Sequence, residues 1–294
     1  MSKYVPDILS RRWVIISSQR LSRPDEFDKT KNKDNVCIFC PGNEARVPGE
    51  LYRIGDGERD KPGWKVRVIP NKYPITDFHE VIILSPYCDK DIQDLPQSHV
   101  EQILYVYKER YNFNKKKGQV IIFSNHGDLA GASITHPHSQ LVVIPSQINL
   151  DTLSREPLNN LVEENGHFNV YCPDFSQWPY EIWIATKKEN TVFGDISDHE
   201  IADLAPLLQK YLKKLEWLYK KHSITHLPFG YNFYIHPKEN WYIRIIPRFV
   251  NRAGFELGTG LSVNVIDPTD AATQLRGADE KTSEVIKKLK SHLK

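Results

Sequence analysis

Short apolar runs of strand character alternate with two long stripes of helical periodicity, and the order repeats. Residues 66–69 and 81–84 are apolar runs separated by the turn Pro70-Asn71-Lys72-Tyr73-Pro74, and Pro86 closes the second. They predict two strands. Val100, Ile103, Leu104, Tyr107 and Tyr111 then fall on one stripe, predicting a helix. Ser98 and Glu101 have capping-box spacing at its start, and the run Lys115-Lys116-Lys117-Gly118 closes it. Two further strands are predicted at 120–123 and 141–144. After Gly166 the same order returns: strands at 168–171 and 182–184, a capping box at Ser197 and Glu200, and a stripe of Ile201, Leu204, Leu208, Leu212, Leu215 and Leu218. Strands at 231–235 and 241–246 follow. An earlier strand is predicted at 14–16, and the polar stretch 20–35 reads as a loop.

The expected fold class is therefore α+β, with tandem duplicated units of strand, strand, helix, strand, strand. The units are expected at 1–150 and 151–294, joined by a link near 146–166. Two unrelated α+β modules sharing common capping chemistry are the competing explanation.

Composition narrows the field. A chain of 294 residues with 40% hydrophobic content can bury a large core. Its 39 basic and 37 acidic residues leave a net charge of +2, which gives no reason to propose nucleic-acid or membrane-surface binding. No apolar run reaches the ~18 residues of a membrane helix, and the first residues lack the apolar core of a signal peptide. A cytoplasmic location is expected. Four cysteines, Cys37, Cys40, Cys88 and Cys172, are too few for a disulfide scaffold. In a reducing compartment the C-x-x-C of Cys37 and Cys40 is redox-active, buried or metal-binding. With Cys88 and His136 it would complete a Cys3His zinc site. Cys172 reads as a core cysteine.

The densest chemistry lies between two apolar strands, in residues 124–140. Gly127 and Gly131 permit unusual backbone angles and a close ligand. Asn125, Ser133 and Gln140 offer uncharged hydrogen bonds. A strand starting at His136 would put His136, His138 and Gln140 on one face. The two histidines could be two ligands, one ligand and one nucleophile, or a core pair; the glycines and amides around them argue against the last. His126 and Asp128 read as solvent-facing loop residues. His79, His99, His167, His199, His222, His226 and His292 belong to no constellation. The basic end, 286–290, reads as a solvated helix.

Arg20 with Arg23-Pro24, the Cys37-to-Asn43 segment, Asn71, Ser85-Pro86 with Cys88, and Asn125 through His136-Pro137-His138-Ser139-Gln140 resemble galactose-1-phosphate uridylyltransferase. That family belongs to the histidine-triad superfamily. Ala253-Gly254-Phe255-Glu256-Leu257-Gly258-Thr259-Gly260 is similar to its compact members, among them ADP-glucose phosphorylases. The resemblance implies two fused histidine-triad-like units, with merger into one half-barrel as a further implied feature. The catalytic centre would be N-terminal, and the C-terminal unit degenerate. It implies a transferase of carbohydrate and galactose metabolism, UDP-glucose:hexose-1-phosphate uridylyltransferase. His138 would take a nucleotide from a nucleoside-diphosphate sugar and pass it to a sugar 1-phosphate. The alternatives are ADP-glucose phosphorylase and a nucleotide hydrolase. Gln140 favours transfer, because hydrolytic relatives carry a third histidine there and an amide cannot act as a general acid. A nucleotide-binding module without chemistry and a zinc-structured interaction protein are rivals of another class.

By the same resemblance Arg20, Asn71, Asn125, Gly131, Ser133 and Gln140 contact nucleotide or phosphate. Phe255 and Glu256 serve the sugar phosphate. Cys37, Cys40, Cys88 and His136 hold one structural zinc, and the molecule is a homodimer. Some relatives carry a second metal on histidines of the C-terminal half. Here Tyr242 and Arg244 occupy that strand and only His236 remains, so no second metal is expected. Arg244 is read either as a phosphate contact or as a salt-bridged strand residue.

Overall fold

Period-two apolar segments build one ten-stranded antiparallel sheet, and the two apolar helices cover one of its faces. The computed structural model describes residues 2–7, 12–18, 20, 36–150, 153, 158–222 and 227–277. Arg23-Pro24, most of the 20–35 stretch, His226, His292 and the basic segment 286–290 lie outside them. The strands are β1 (Lys3–Pro6), β2 (Trp13–Ile16), β3 (Tyr52–Gly55), β4 (Trp64–Pro70), β5 (His79–Ile83), β6 (Gln119–His126), β7 (His138–Ile144), β8 (Leu161–Glu164), β9 (Phe168–Tyr171), β10 (Ile182–Thr186), β11 (Tyr231–Ile235) and β12 (Tyr242–Pro247). The helices are α1 (Gln97–Asn114), α2 (Asp198–His222), α3 (Gly254–Thr259) and α4 (Pro268–Gly277). No helix among the described residues is long and apolar enough to cross a membrane.

Strands β1 and β2 form a separate hairpin. The large sheet runs β3-β4-β5-β7-β6-β11-β12-β10-β9-β8. Followed inward from either edge, the connectivity is the same, with α1 and α2 at corresponding places in the chain. The halves meet where β6 pairs with β11, for example Asn125 with Asn232. The proposed link is not wholly irregular, because β8 forms within it and pairs with β9.

Both helical stripes are buried as their spacing requires. They pack on Val66, Val68, Ile82, Ile122, Leu141 and Val143 in a core that continues into both halves. At about 1.5–3 kcal/mol for each fully buried aliphatic side chain, this is the chief stabilising surface. Cys172 lies within it, and burial pushes its thiol up to about 12. The opposite face carries smaller clusters. One gathers Phe39, Trp64, Ile69, Val81 and Ile83, and another gathers Val142, Ile144 and Ile148 under the β1–β2 hairpin.

The two helix starts differ. At α2 the Glu200 amide donates to Ser197 Oγ at 3.2 Å, and the Ser197 amide donates to Glu200 Oε2 at 2.7 Å, the reciprocal pair expected. At α1 the N-cap is Pro96, without a side-chain cap. Ser98 lies inside the first turn, and Glu101 accepts from Gln97 instead. The proline starts the helix two residues before the expected box would. Ser197→Ala should therefore cost about 1 kcal/mol in urea denaturation, and Ser98→Ala within about 0.5 kcal/mol. Equal losses would refute the assignment.

Candidate active site and metal centre

Strand β7 is buried along its whole length and hydrogen-bonded on both sides, to β5 and β6. Side chains alternate along it, so His138 and Gln140 share the face of Val142 and Ile144, while Ser139 points to the helices. The strand begins at His138, not at the expected His136. Pro137 offers no ladder donor, and His136 turns its ring to a different task.

That task is with the cysteines. His136 Nδ1 lies 3.4 Å from Cys37 Sγ and 3.7 Å from Cys40 Sγ. Its Nε2 donates to the Ser85 carbonyl at 2.8 Å, which leaves the lone pair on Nδ1, facing the sulfurs. The donor atoms of Cys37, Cys40 and His136 lie within 4.8 Å of one another. Two thiols and an imidazole held in the right tautomer by a carbonyl suit a thiophilic divalent cation, and the group could hold one. Burial, reinforced by Cys37 and Cys88, pushes the Cys40 thiol up to about 12. Burial also lowers the His136 pKa, against the opposing effect of the Ser85 carbonyl. Cys88 is an exposed hydrogen-bonding neighbour of Cys40 and lies outside the group of three. Between the two thiols, Ile38 and Phe39 form part of the wall of an adjoining cavity.

This cavity, about 220 Å³, is lined by Ile69, Val81, Ser133, His138 and Gln140 among others. Arg46 and Lys72 also line it, and among the described residues no carboxylate does, so its charge suits an anion. His138 Nδ1 donates to the His136 carbonyl at 2.9 Å, so the neutral ring carries its lone pair on Nε2. Phe39 meets the ring edge-on at 5.4 Å. Ser124 Oγ donates to the His138 carbonyl at 3.2 Å. Below, Tyr107 and Ser139 join hydroxyls at 2.5 Å.

The other expected residues divide. Asn71 lines the cavity, with its Oδ1 accepting from the Tyr73 amide at 2.8 Å. Arg20 donates to the Tyr73 carbonyl at 3.0 Å, reaching the loop that forms the wall. Asn125 accepts from Asn232 across the junction of the halves at 2.8 Å. Gly131 has φ +73°, and nothing lies within 4 Å of where a Cβ would stand. Gly127 has φ +82°, and a Cβ there would come within 3.1 Å of the Phe229 carbonyl. Phe255 and Glu256 sit on α3, outside the cavity lining. Phe255 is exposed, and Glu256 accepts from the Ala253 amide at 3.0 Å.

Three histidines depart from expectation or refine it. His126 ends β6 on the helix-facing side, 3.2 Å from Asp91 and stacked on Tyr231, turned away from His138. His79, expected to belong to no constellation, lies 2.9 Å from Gln140 Oε1 through its Nε2. The only signal in the sequence was its alternation with Val81 and Ile83. His236 stacks on Tyr242 at 4.7 Å, and burial lowers its pKa to about 4. Arg244 makes a two-point ion pair with buried Glu181 at 2.7 and 2.9 Å. This is the salt-bridged alternative for Arg244, whose guanidinium is committed to that carboxylate.

Residues 21–147 match the family model described as the DUF4931 N-terminal domain, a domain of unknown function. The chain is 29% identical to ADP-glucose phosphorylase of Arabidopsis thaliana, over 92% of this chain and 91% of that protein. It is 24% identical to galactose-1-phosphate uridylyltransferase of Thermotoga maritima, over 91% and 96% respectively. The crystal structure of an ADP-glucose phosphorylase from Arabidopsis thaliana with bound ADP-glucose superposes with a TM-score of 0.71, at 27% identity, covering 94% of this chain and 99% of that one.

Proposed function

We propose that this homologue of the galactose-1-phosphate uridylyltransferases and ADP-glucose phosphorylase is a nucleotidyltransferase with His138 as its nucleophile. The observation that carries the reading is the tautomer of His138, set by the His136 carbonyl, on a ring that lines a cavity shared with Arg46 and Lys72. Neutral imidazole is a good nucleophile near neutral pH.

In the first half-reaction Nε2 attacks the α-phosphorus of a nucleoside-diphosphate sugar. A P–N bond forms, the P–O bond to the β-phosphate breaks, and a sugar 1-phosphate leaves. It departs as an anion and needs little protonation. In the second half-reaction an acceptor phosphate oxygen attacks the same phosphorus and the P–N bond breaks, restoring His138. Gln140 and Ser133 donate to phosphoryl oxygens, where negative charge grows in the transition state. Ile38, Phe39, Val47 and Ile69 hold the base by apolar contact, and Arg46 and Lys72 offset phosphate charge. Cys37, Cys40 and His136, with Cys88 beside Cys40, would hold one structural zinc, which braces the cavity wall and takes no part in the transfer.

Between the finer readings, the higher identity to ADP-glucose phosphorylase favours AMP transfer from ADP-glucose to free phosphate. The alternative is UDP-glucose:hexose-1-phosphate uridylyl transfer. Phe255 and Glu256 would serve the sugar phosphate only at the cavity of a second copy, in a homodimer. The mirrored strand order supports an origin by internal duplication.

The test is a covalent trap with ADP-glucose or UDP-glucose labelled at the α-phosphate. Acid-labile, base-stable label is expected on the chain, from ADP-glucose in preference, and free phosphate should discharge it. Discharge by galactose 1-phosphate alone would select the uridylyl reaction. Absence of label from both sugars would overturn the transfer reading.

A further inference from the structure

We infer that His79 is a positioning residue for this site: it fixes the Gln140 amide so that its NH2 group, not its oxygen, is presented to the cavity. The inference rests on the transfer reading and deepens it.

The Ile75 backbone N–H points at His79 Nδ1 at 2.9 Å. Nδ1 must therefore accept, and the neutral ring carries its proton on Nε2. That nitrogen lies 2.9 Å from Gln140 Oε1, and an N–H can be met only by the oxygen of an amide. Turned over, Gln140 would set donor against donor, with both residues buried and the clash shielded from water. The orientation thus follows from a backbone amide, independently of how oxygen and nitrogen are told apart in a side chain.

The surroundings hold the ring in place. Val81 is the direct cross-strand partner of Gln140, so His79 is the diagonal neighbour on the same sheet face. Asn71 Nδ2 lies 3.2 Å from the same His79 nitrogen. Because Asn71 Oδ1 is committed to the Tyr73 amide, this second donor packs against the ring edge and does not bond to it. Ile75, Tyr73 and Asn71 belong to the loop that walls the cavity. A continuous chain therefore runs from that wall through His79 to the amide beside His138. Charge on the non-bridging phosphoryl oxygens increases as the nucleophile attacks, so an amide presenting NH2 stabilises the transition state, and one presenting its carbonyl opposes it. His79 does this without touching the substrate.

The experiment is a double-mutant cycle on the single-turnover labelling of His138, at saturating α-phosphate-labelled ADP-glucose or UDP-glucose. His79→Phe should slow labelling by about 10–100-fold with little change in the substrate concentration for half-saturation. His79→Gln, which keeps a donor, should recover most of the rate. In a Gln140→Ala background, His79→Phe should cause no further loss, because the residue it acts through is gone. An equal loss in that background, or an unchanged rate in a folded His79→Phe protein, would overturn the inference. The tautomer has a readout that needs no turnover. Nitrogen-15 NMR of the imidazoles should show His79 protonated on Nε2, and protonation on Nδ1 would refute the positioning role even if wild-type labelling succeeds. Failure of wild-type labelling with the Nε2–H tautomer present would instead count against the transfer reading alone.

Discussion

Replacing His138 with asparagine should abolish covalent labelling by a nucleotide sugar and lower turnover by about 10⁴-fold or more, with the fold intact. Asparagine is a fair probe because its amide can still donate to the His136 carbonyl, the bond His138 makes through Nδ1. What is lost is the Nε2 lone pair. The ring lines the cavity and meets Phe39 edge-on, so the substitution removes some packing, and a fall in stability of about 1–2 kcal/mol is expected. Circular dichroism and a denaturant melt would separate that loss from the chemical one. Turnover near the wild-type level in a folded His138→Asn protein would exclude this imidazole as the nucleophile, whatever the cavity binds.

The second large effect is expected at the sulfur cluster. Cys37→Ser should release a bound zinc ion and destabilise the protein by about 3–5 kcal/mol, since a structural metal contributes directly to folding free energy. For a chain of this size that is roughly a 5–8 °C fall in Tm. Zinc content by atomic absorption and Tm by calorimetry should fall together. The substitution should also weaken nucleotide-sugar binding, because Ile38 and Phe39 lie between the two cysteines and line the cavity. A variant that keeps its zinc and its Tm would remove Cys37 from the ligand set. Prolonged dialysis of the wild type against a strong chelator should reproduce the fall in stability, which zinc should reverse.

The strongest periodic signals translated directly into structure. Strands β9 and β11 occupy the residues expected of them, because each is an aromatic-rich segment bounded by turn-forming residues. Both helical stripes are buried at every position singled out. Less legible were the edges. Strands β3 and β8 have mixed burial at the two ends of the sheet, and partial exposure erases the alternation that marks a buried strand. The cap of α1 was misread because Pro96 competes with Ser98, and local sequence does not rank the two devices. Within the site, the grouping of Cys37, Cys40 and His136 was visible as residue types at suggestive spacing, although 96 residues separate Cys40 from His136. The part played by His79 was not. It depends on a backbone amide four residues away and a side chain on another strand, neither of which leaves a trace in composition or period.

The placement of β7 has a kinetic consequence. It is the fourth of ten strands, laddered on both sides, so its amides should exchange with solvent only through the rarest openings of the molecule. The proposed nucleophile, His138, is thus anchored in a strand paired on both sides. On the proposed transfer, any breathing that admits a sugar nucleotide must come from the segments around it, at 71–75 and 127–135, and deuterium uptake should be faster there than in β7.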